Sequence, residues 1–116
     1  MKKPTIKVLL TLLIMVGVFA TSINTVNAAS LTRTYSGQFV EDWSYSASSS
    51  GAELEYGFNT LFIKEDTCYA NHNNSRHYAR IKNGNGVHVG SSKAAGTWSR
   101  IEVTHSGSTV TYSCEW

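Results

Sequence analysis

The stretch TWSRIEVTHSGSTVTYSCEW, residues 97–116, determines the fold class. Apolar and polar residues alternate in both halves of this stretch, and a period of two is typical of a half-buried β-strand. The apolar series consists of Ile101 and Val103 in the first half and of Val110, Tyr112, Cys114 and Trp116 in the second. The polar segment HSGS at residues 105–108 separates the two runs and predicts a hairpin connection.

Strand signals continue upstream of this hairpin. Asn83-Gly84 and Asn85-Gly86 lie between two short apolar runs, and Asn-Gly is the strongest short hairpin signal. A first long strand or hairpin is predicted over residues 35–45, followed by a flexible Ser/Gly/Ala loop over residues 46–51. Another alternating series comprises Leu54, Tyr56, Phe58, Thr60 and Phe62. These patterns predict an all-β chain that forms a small antiparallel β-sandwich of about six strands.

The N-terminal residues have the layout of a secretory signal peptide. Lys2, Lys3 and Lys7 precede an apolar run over residues 8–20, and Val26-Asn27-Ala28 forms a small-residue cleavage site. The apolar run is short for a bilayer crossing, although an N-terminal membrane anchor remains the alternative. The sequence therefore predicts a signal peptide over residues 1–28, one mature domain over residues 29–116, and a secreted, extracellular protein.

Removal of the signal peptide changes the charge balance. Three of the ten Lys and Arg residues lie in residues 1–28, so residues 29–116 carry seven against eight Asp and Glu residues, a formal net charge of −1. A cationic membrane-lytic peptide and a nucleic-acid-binding protein both need a positive excess. The charge argues against both classes, and we expect no nucleic acid partner.

The only two cysteines, Cys68 and Cys114, lie in the predicted mature domain. An oxidising extracellular location favours a disulfide between them, which would stabilise so small a domain by roughly 4 kcal/mol. Free thiols are the alternative. A metal site is disfavoured because the cysteines are far apart and no C-x-x-C motif occurs.

No catalytic constellation stands out. The four histidines lack the spacing of a zinc site, and His77 shares a strand face with Ala79 and Ile81, as a hydrogen-bonded core histidine would. A ribonuclease-like set could be assembled from Glu55, Arg80 and His88, but chains of this size commonly contain such a set. We therefore predict a protein that is not an enzyme and that uses no cofactor and no metal.

The aromatic residues suggest a binding surface. Trp98 lies on the strand face of Arg100, out of phase with the apolar residues of the same run. If it is exposed, it could form a platform for a sugar or a lipid headgroup with nearby basic residues. The alternative is that both faces of the strand are buried. The candidate binding residues are Trp98, Arg100, Arg80, Lys82 and Trp116.

The C-terminal part of the chain resembles a known family. A His-Tyr-Ala-Arg-Ile-Lys-Asn stretch at residues 77–83, an Ala-Gly-Thr-Trp-Ser-Arg stretch at residues 95–100 and an aromatic strand ending at Trp116 carry the resemblance. These segments resemble the lactococcin 972 family of secreted bacteriocins. The resemblance implies a β-sandwich that acts on related Gram-positive bacteria. It further implies interference with septum formation through lipid II, and an immunity membrane protein and a transporter ATPase as partners in the producer.

Two features depart from the family pattern: residues 31–66 match nothing in it, and the namesake has no cysteines. The sequence thus predicts a secreted antibacterial protein that binds a cell-envelope component and blocks septum or cell-wall synthesis. The alternative is a secreted inhibitor or binding module for a host or competitor protein such as a hydrolase, with residues 71–75 as the inserted loop.

Overall fold

A computed structural model describes residues 29–116, so the predicted signal peptide lies outside the described residues. The described chain forms eight strands: β1 (Ser30–Ser36), β2 (Trp43–Ser49), β3 (Ala52–Asn59), β4 (Glu65–His72), β5 (Tyr78–Asn83), β6 (Gly86–Val89), β7 (Ser99–Thr104) and β8 (Thr109–Glu115). The prediction of an all-β chain is confirmed, but the number of strands is eight and not about six. Over residues 29–116, no helix is long and apolar enough to cross a membrane.

The strands form two antiparallel four-stranded sheets that pack as a sandwich. The first sheet has the order β1-β8-β5-β6 and the second the order β2-β3-β4-β7. β8 lies between β1 and β5, so the first sheet unites the two ends of the described chain with its middle. Reciprocal backbone hydrogen bonds between Ala29 and Trp116, 2.7 and 2.9 Å long, extend the β1–β8 pairing to the last residue.

The predictions made for the first strand and for the loop after it are wrong. Instead of one element over residues 35–45, β1 ends at Ser36, Gly37 takes a positive φ of 145°, and β2 begins only at Trp43. The predicted flexible loop over residues 46–51 belongs largely to β2 and ends in a tight turn. Ser50 and Gly51 both have positive φ, as the favoured two-residue hairpin turn requires.

The sequence pattern also did not predict β4. Its sequence, EDTCYANH, buries Asp66, Cys68, Ala70 and His72 on the inward side, so the alternation is not one of apolar with polar residues. The strand is nevertheless central, because it pairs with β3 on one side and β7 on the other. The polar residues on the inward side of β4 are therefore the reason why this central strand was not predicted.

The interior lies between the two sheets. Its fully buried large side chains include Leu54 and Phe58 from the second sheet and Ile81, Val110 and Tyr112 from the first. The apolar series predicted for β8 is confirmed through Cys114, and Ile101 packs against this core as predicted. Burial of such side chains contributes about 1.5–3 kcal/mol each, which makes the core the main source of stability.

The predicted disulfide is wrong: Cys68 and Cys114 are both free and fully buried. Each thiol is directed at a backbone carbonyl of the facing strand. Cys68 Sγ lies 3.6 Å from the oxygen of Ser113, and Cys114 Sγ lies 3.6 Å from the oxygen of Asn71. The two cysteines act as small core residues that also donate weak hydrogen bonds between the sheets.

Two histidines stabilise the interior. His77 is 1% exposed, and its ring nitrogens lie 2.9 Å from the Ser75 oxygen and 2.7 Å from the Thr97 oxygen, which confirms the predicted hydrogen-bonded core histidine. The hairpin predicted at residues 105–108 is wrong, because β7 and β8 belong to different sheets and this connection crosses between them. His105, which lies in the connection, is largely buried. Its Nδ1 lies 2.8 Å from Oδ1 of the fully buried Asp66.

Candidate functional site

The outer face of the second sheet carries a group of interacting polar and aromatic side chains. The antiparallel register aligns one residue from each strand across this face, and these four residues form the central row: Ser46, Glu55, Tyr69 and Arg100. The residues that alternate with them along β3, β4 and β7 point inward to the core or pack against it. The sequence thus places polar and aromatic groups together on a broad surface.

Two contacts on this face, one within the row and one with the neighbouring Glu102, hold Tyr69 in place. The hydroxyl of Tyr69 donates a 2.6 Å hydrogen bond to Oε2 of Glu102. The guanidinium carbon of Arg100 lies 5.1 Å from the centre of the Tyr69 ring, a cation–π distance. The hydrogen bond to Glu102, together with burial, raises the pKa of Tyr69 to about 12. Tyr69 therefore keeps its proton at ordinary pH and remains a fixed hydrogen-bond donor to Glu102.

Two shallow depressions lie on this outer face, on either side of Glu55. The first has a volume of about 380 Å³ and is lined by Ser46, Ala47, Ser48, Glu53, Leu54, Glu55 and Trp98. The second has a volume of about 370 Å³ and is lined by Asp42, Trp43, Ser44, Glu55, Tyr56, Phe58, Asn59, Thr67 and Tyr69. Both offer carboxylate and hydroxyl oxygens beside an aromatic ring.

This arrangement suits a ligand rich in hydroxyl groups. Carboxylates such as Glu55 accept hydrogen bonds from hydroxyls, and the guanidinium of Arg100 donates them. The rings of Tyr69 and Trp98 have electron-rich faces that attract polarised C–H groups of a flat ligand. The face has more carboxylates than cations, so it disfavours ligands whose main feature is a concentrated negative charge.

The structure separates the five binding residues predicted from the sequence. Trp98 and Arg100 lie on the outer face of the second sheet, in the phase predicted for them. Arg80 and Lys82 are on β5, where the intervening Ile81 points into the core, so they project from the outer face of the first sheet. Trp116 packs at the end of the sandwich, its ring 4.6 Å from that of His72. A single platform of these five residues does not form.

The loop predicted to insert into a protein partner is tied to the body of the domain. Asn71 and His72 belong to β4 and are buried. The backbone N–H of Asn73 donates to the Gly51 oxygen at 2.8 Å, and that of Asn74 donates to His72 Nδ1 at 3.2 Å. Residues 71–75 therefore form a bound turn rather than a protruding loop.

Sequence reasoning missed most of the central row. Glu55 could have been assigned to the outer face from its alternation with Leu54 and Tyr56. Tyr69 could not, because β4 itself was not predicted and its place beside Arg100 depends on strand pairing. Over residues 29–116, no three His, Cys, Asp or Glu side chains are grouped as a metal site would require.

Comparison with known proteins identifies no relative. No protein-family model matches the chain, and neither do a curated protein or a solved structure. The resemblance to the lactococcin 972 family stays a prediction made from sequence segments.

Proposed function

We propose that this chain is a secreted antibacterial protein that binds the saccharide part of a bacterial cell-envelope component through the outer face of its second sheet. The observation that carries the proposal is the central row, in which Tyr69 is held by Arg100 and by the carboxylate of the neighbouring Glu102, and Glu55 is flanked by two depressions. The near-neutral charge of residues 29–116 supports binding rather than electrostatic membrane lysis.

The charge of this outer face limits which part of the ligand it can contact. Glu53, Glu55 and Glu102 all project from it, against one guanidinium, that of Arg100. Lipid II, which the family resemblance implies, combines amino sugars with an anionic pyrophosphate. The carboxylates fit the sugar hydroxyls and repel the pyrophosphate, so the proposed contact is with the sugars. Bound in this way, the protein would block septum or cell-wall synthesis by occupying the building block.

Binding to isolated peptidoglycan and to lipid II tests the ligand. Arg100→Gln removes the cation that lies over Tyr69, and we expect about a tenfold weaker affinity, since one charge-assisted hydrogen bond contributes about 1.5 kcal/mol. Arg80→Gln is the matched control, because it removes the same group from a strand on the opposite face. Equal loss in both variants, or none in Arg100→Gln, would contradict the assignment of the face.

Growth inhibition tests the antibacterial role separately. The protein should slow the growth of related Gram-positive bacteria, and added lipid II should protect the cells. Saccharide binding without growth inhibition would leave the site intact but overturn the bacteriocin function. A single protein partner recovered in stoichiometric amount, with no envelope binding, would favour the inhibitor alternative.

A further inference from the structure

Three consecutive apolar side chains project into solvent from the loop between β3 and β4. Leu61 is 77% exposed, Phe62 is 91% exposed and Ile63 is 52% exposed, and together we call them the apolar tip. Val40, 62% exposed, extends from the β1–β2 loop at the same end of the sandwich. The sequence pattern placed Phe62 on a strand, but β3 ends at Asn59. Anything that shields the apolar tip from water therefore has to lie outside this domain.

The scaffold holds the base of the apolar tip on both sides. Thr60 donates a 2.7 Å hydrogen bond to Oδ1 of Asp42 in the β1–β2 loop. The Lys64 carbonyl accepts a 2.9 Å hydrogen bond from the backbone N–H of His105. Because residues on either side are fixed, the loop presents its apolar side chains outward instead of folding them onto the core.

The shape of the apolar tip determines what could cover it. It is convex, so a protein partner or a second copy would need an apolar recess to receive it. The depressions on the outer face of the second sheet both contain carboxylates, Glu53 and Glu55 in the first and Asp42 and Glu55 in the second, so neither is a purely apolar recess. A bilayer interface accepts a convex apolar protrusion without any matching recess, and large apolar side chains with an aromatic ring are those that anchor proteins there.

The charges around the apolar tip narrow the type of membrane. Lys64 follows the tip directly, but Glu41, Asp42 and Glu65 lie in the same two connections or next to them. This acidic excess opposes attraction to an anionic surface, so hydrophobic insertion has to supply the binding. We propose that the apolar tip inserts into the surface of a zwitterionic lipid bilayer. This goes beyond the saccharide site and does not depend on it.

Vesicle binding provides the test. Protein made by expressing the full 116-residue chain, its N-terminus checked by mass spectrometry, is sedimented with phosphatidylcholine vesicles. Phe62→Ser should lower the partition coefficient about tenfold, and the triple variant with Leu61→Ser and Ile63→Ser should abolish binding, because each side chain loses its transfer from water. Val87→Ser with Val89→Ser is the matched control, since these β6 residues are 51% and 57% exposed yet lie outside the apolar tip. That control should bind as the wild type does.

A probe at the apolar tip gives a second readout. Phe62→Trp should shift its added fluorescence to the blue when phosphatidylcholine vesicles are present, and brominated lipids should quench it. Absence of wild-type binding to the vesicles would overturn the proposal, as would wild-type binding in the triple variant. Binding only to anionic vesicles, or self-association that Phe62→Ser removes without lipid, would also overturn it. None of these outcomes bears on peptidoglycan binding, so the two proposals fail separately.

Discussion

Replacing Asp66 by Ala should be among the most damaging single changes in this domain. The Asp66 side chain is fully buried, and its two oxygens accept hydrogen bonds of 2.8 Å from His105 and 2.9 Å from Asn83. The His105 ring also packs between the rings of Phe39 and Phe58, with centroid distances of 4.2 and 5.2 Å. One carboxyl group therefore joins β4, β5 and the β7–β8 connection at one end of the sandwich.

The expected loss follows from the groups left behind. Asp66→Ala removes the acceptor of two donors in a largely buried site, and each unsatisfied buried donor costs about 1–3 kcal/mol. The sum, about 4 kcal/mol, is a large share of the 5–15 kcal/mol total stability of typical domains. Asp42→Ala is the matched control: it removes an exposed carboxylate that accepts one 2.7 Å hydrogen bond from Thr60, and it should cost about 1 kcal/mol or less.

Urea unfolding followed by tryptophan fluorescence measures both changes. A double-mutant cycle of Asp66→Ala with His105→Ala should give a coupling of about 1–2 kcal/mol, since the two groups share one hydrogen bond. If Asp66→Ala costs no more than Asp42→Ala, the buried network does not stabilise the sandwich and the reasoning fails.

Two further predictions concern the thiols and the alkaline range. Because Cys68 and Cys114 are free and buried, a thiol reagent should titrate two thiols per chain in denaturant and almost none in the native protein; fewer than two in denaturant would contradict the structure. Burial raises the pKa of Cys68 to about 12 and that of Cys114 to about 11, from an ordinary value of 9.0. The folded state therefore holds these protons more tightly than the unfolded chain, so the stability that the two protonated thiols contribute should be fully present below pH 9, and the free energy of unfolding should fall as the pH rises towards 12. A flat profile from pH 7 to 11 would refute this, and Cys68→Ala should weaken the fall.

Much of the fold could be predicted where the alternation is one of apolar with polar residues. β8, β7 and β5 follow from local patterns because their inward residues are largely apolar, and the Asn-Gly turn after β5 contains Gly86, whose φ is 111°. β6 itself does not show this alternation, because its inward residue is His88 and its two valines face outward. β4 escaped prediction because its inward residues include the polar Asp66 and His72. The partners that satisfy Asp66, Asn83 and His105, are distant in sequence and give no local signal. The disulfide was predicted wrongly because an oxidising compartment and an even number of cysteines do not determine where each thiol points.

The candidate site was less accessible to sequence reasoning. Strand phase placed Trp98 and Arg100 correctly on an outer face, but phase alone does not say which sheet a strand joins. Arg80 and Lys82 share the phase of outward residues and yet belong to the other sheet. The neighbours of Arg100 are set by strand order, which depends on how the whole chain packs.

The position of β8 between β1 and β5 also determines when the domain can fold. β1 has β8 as its sole partner in the sheet, and their paired residues are separated by nearly the whole described chain. A chain that emerges with its N-terminus first cannot complete the first sheet until β8 is available. Pairing of strands so far apart in sequence is slow. If the chain is threaded through an export channel, this delay would keep it extended during passage. The first sheet would then be completed, by pairing of β8 with β1, only after the chain has left the channel.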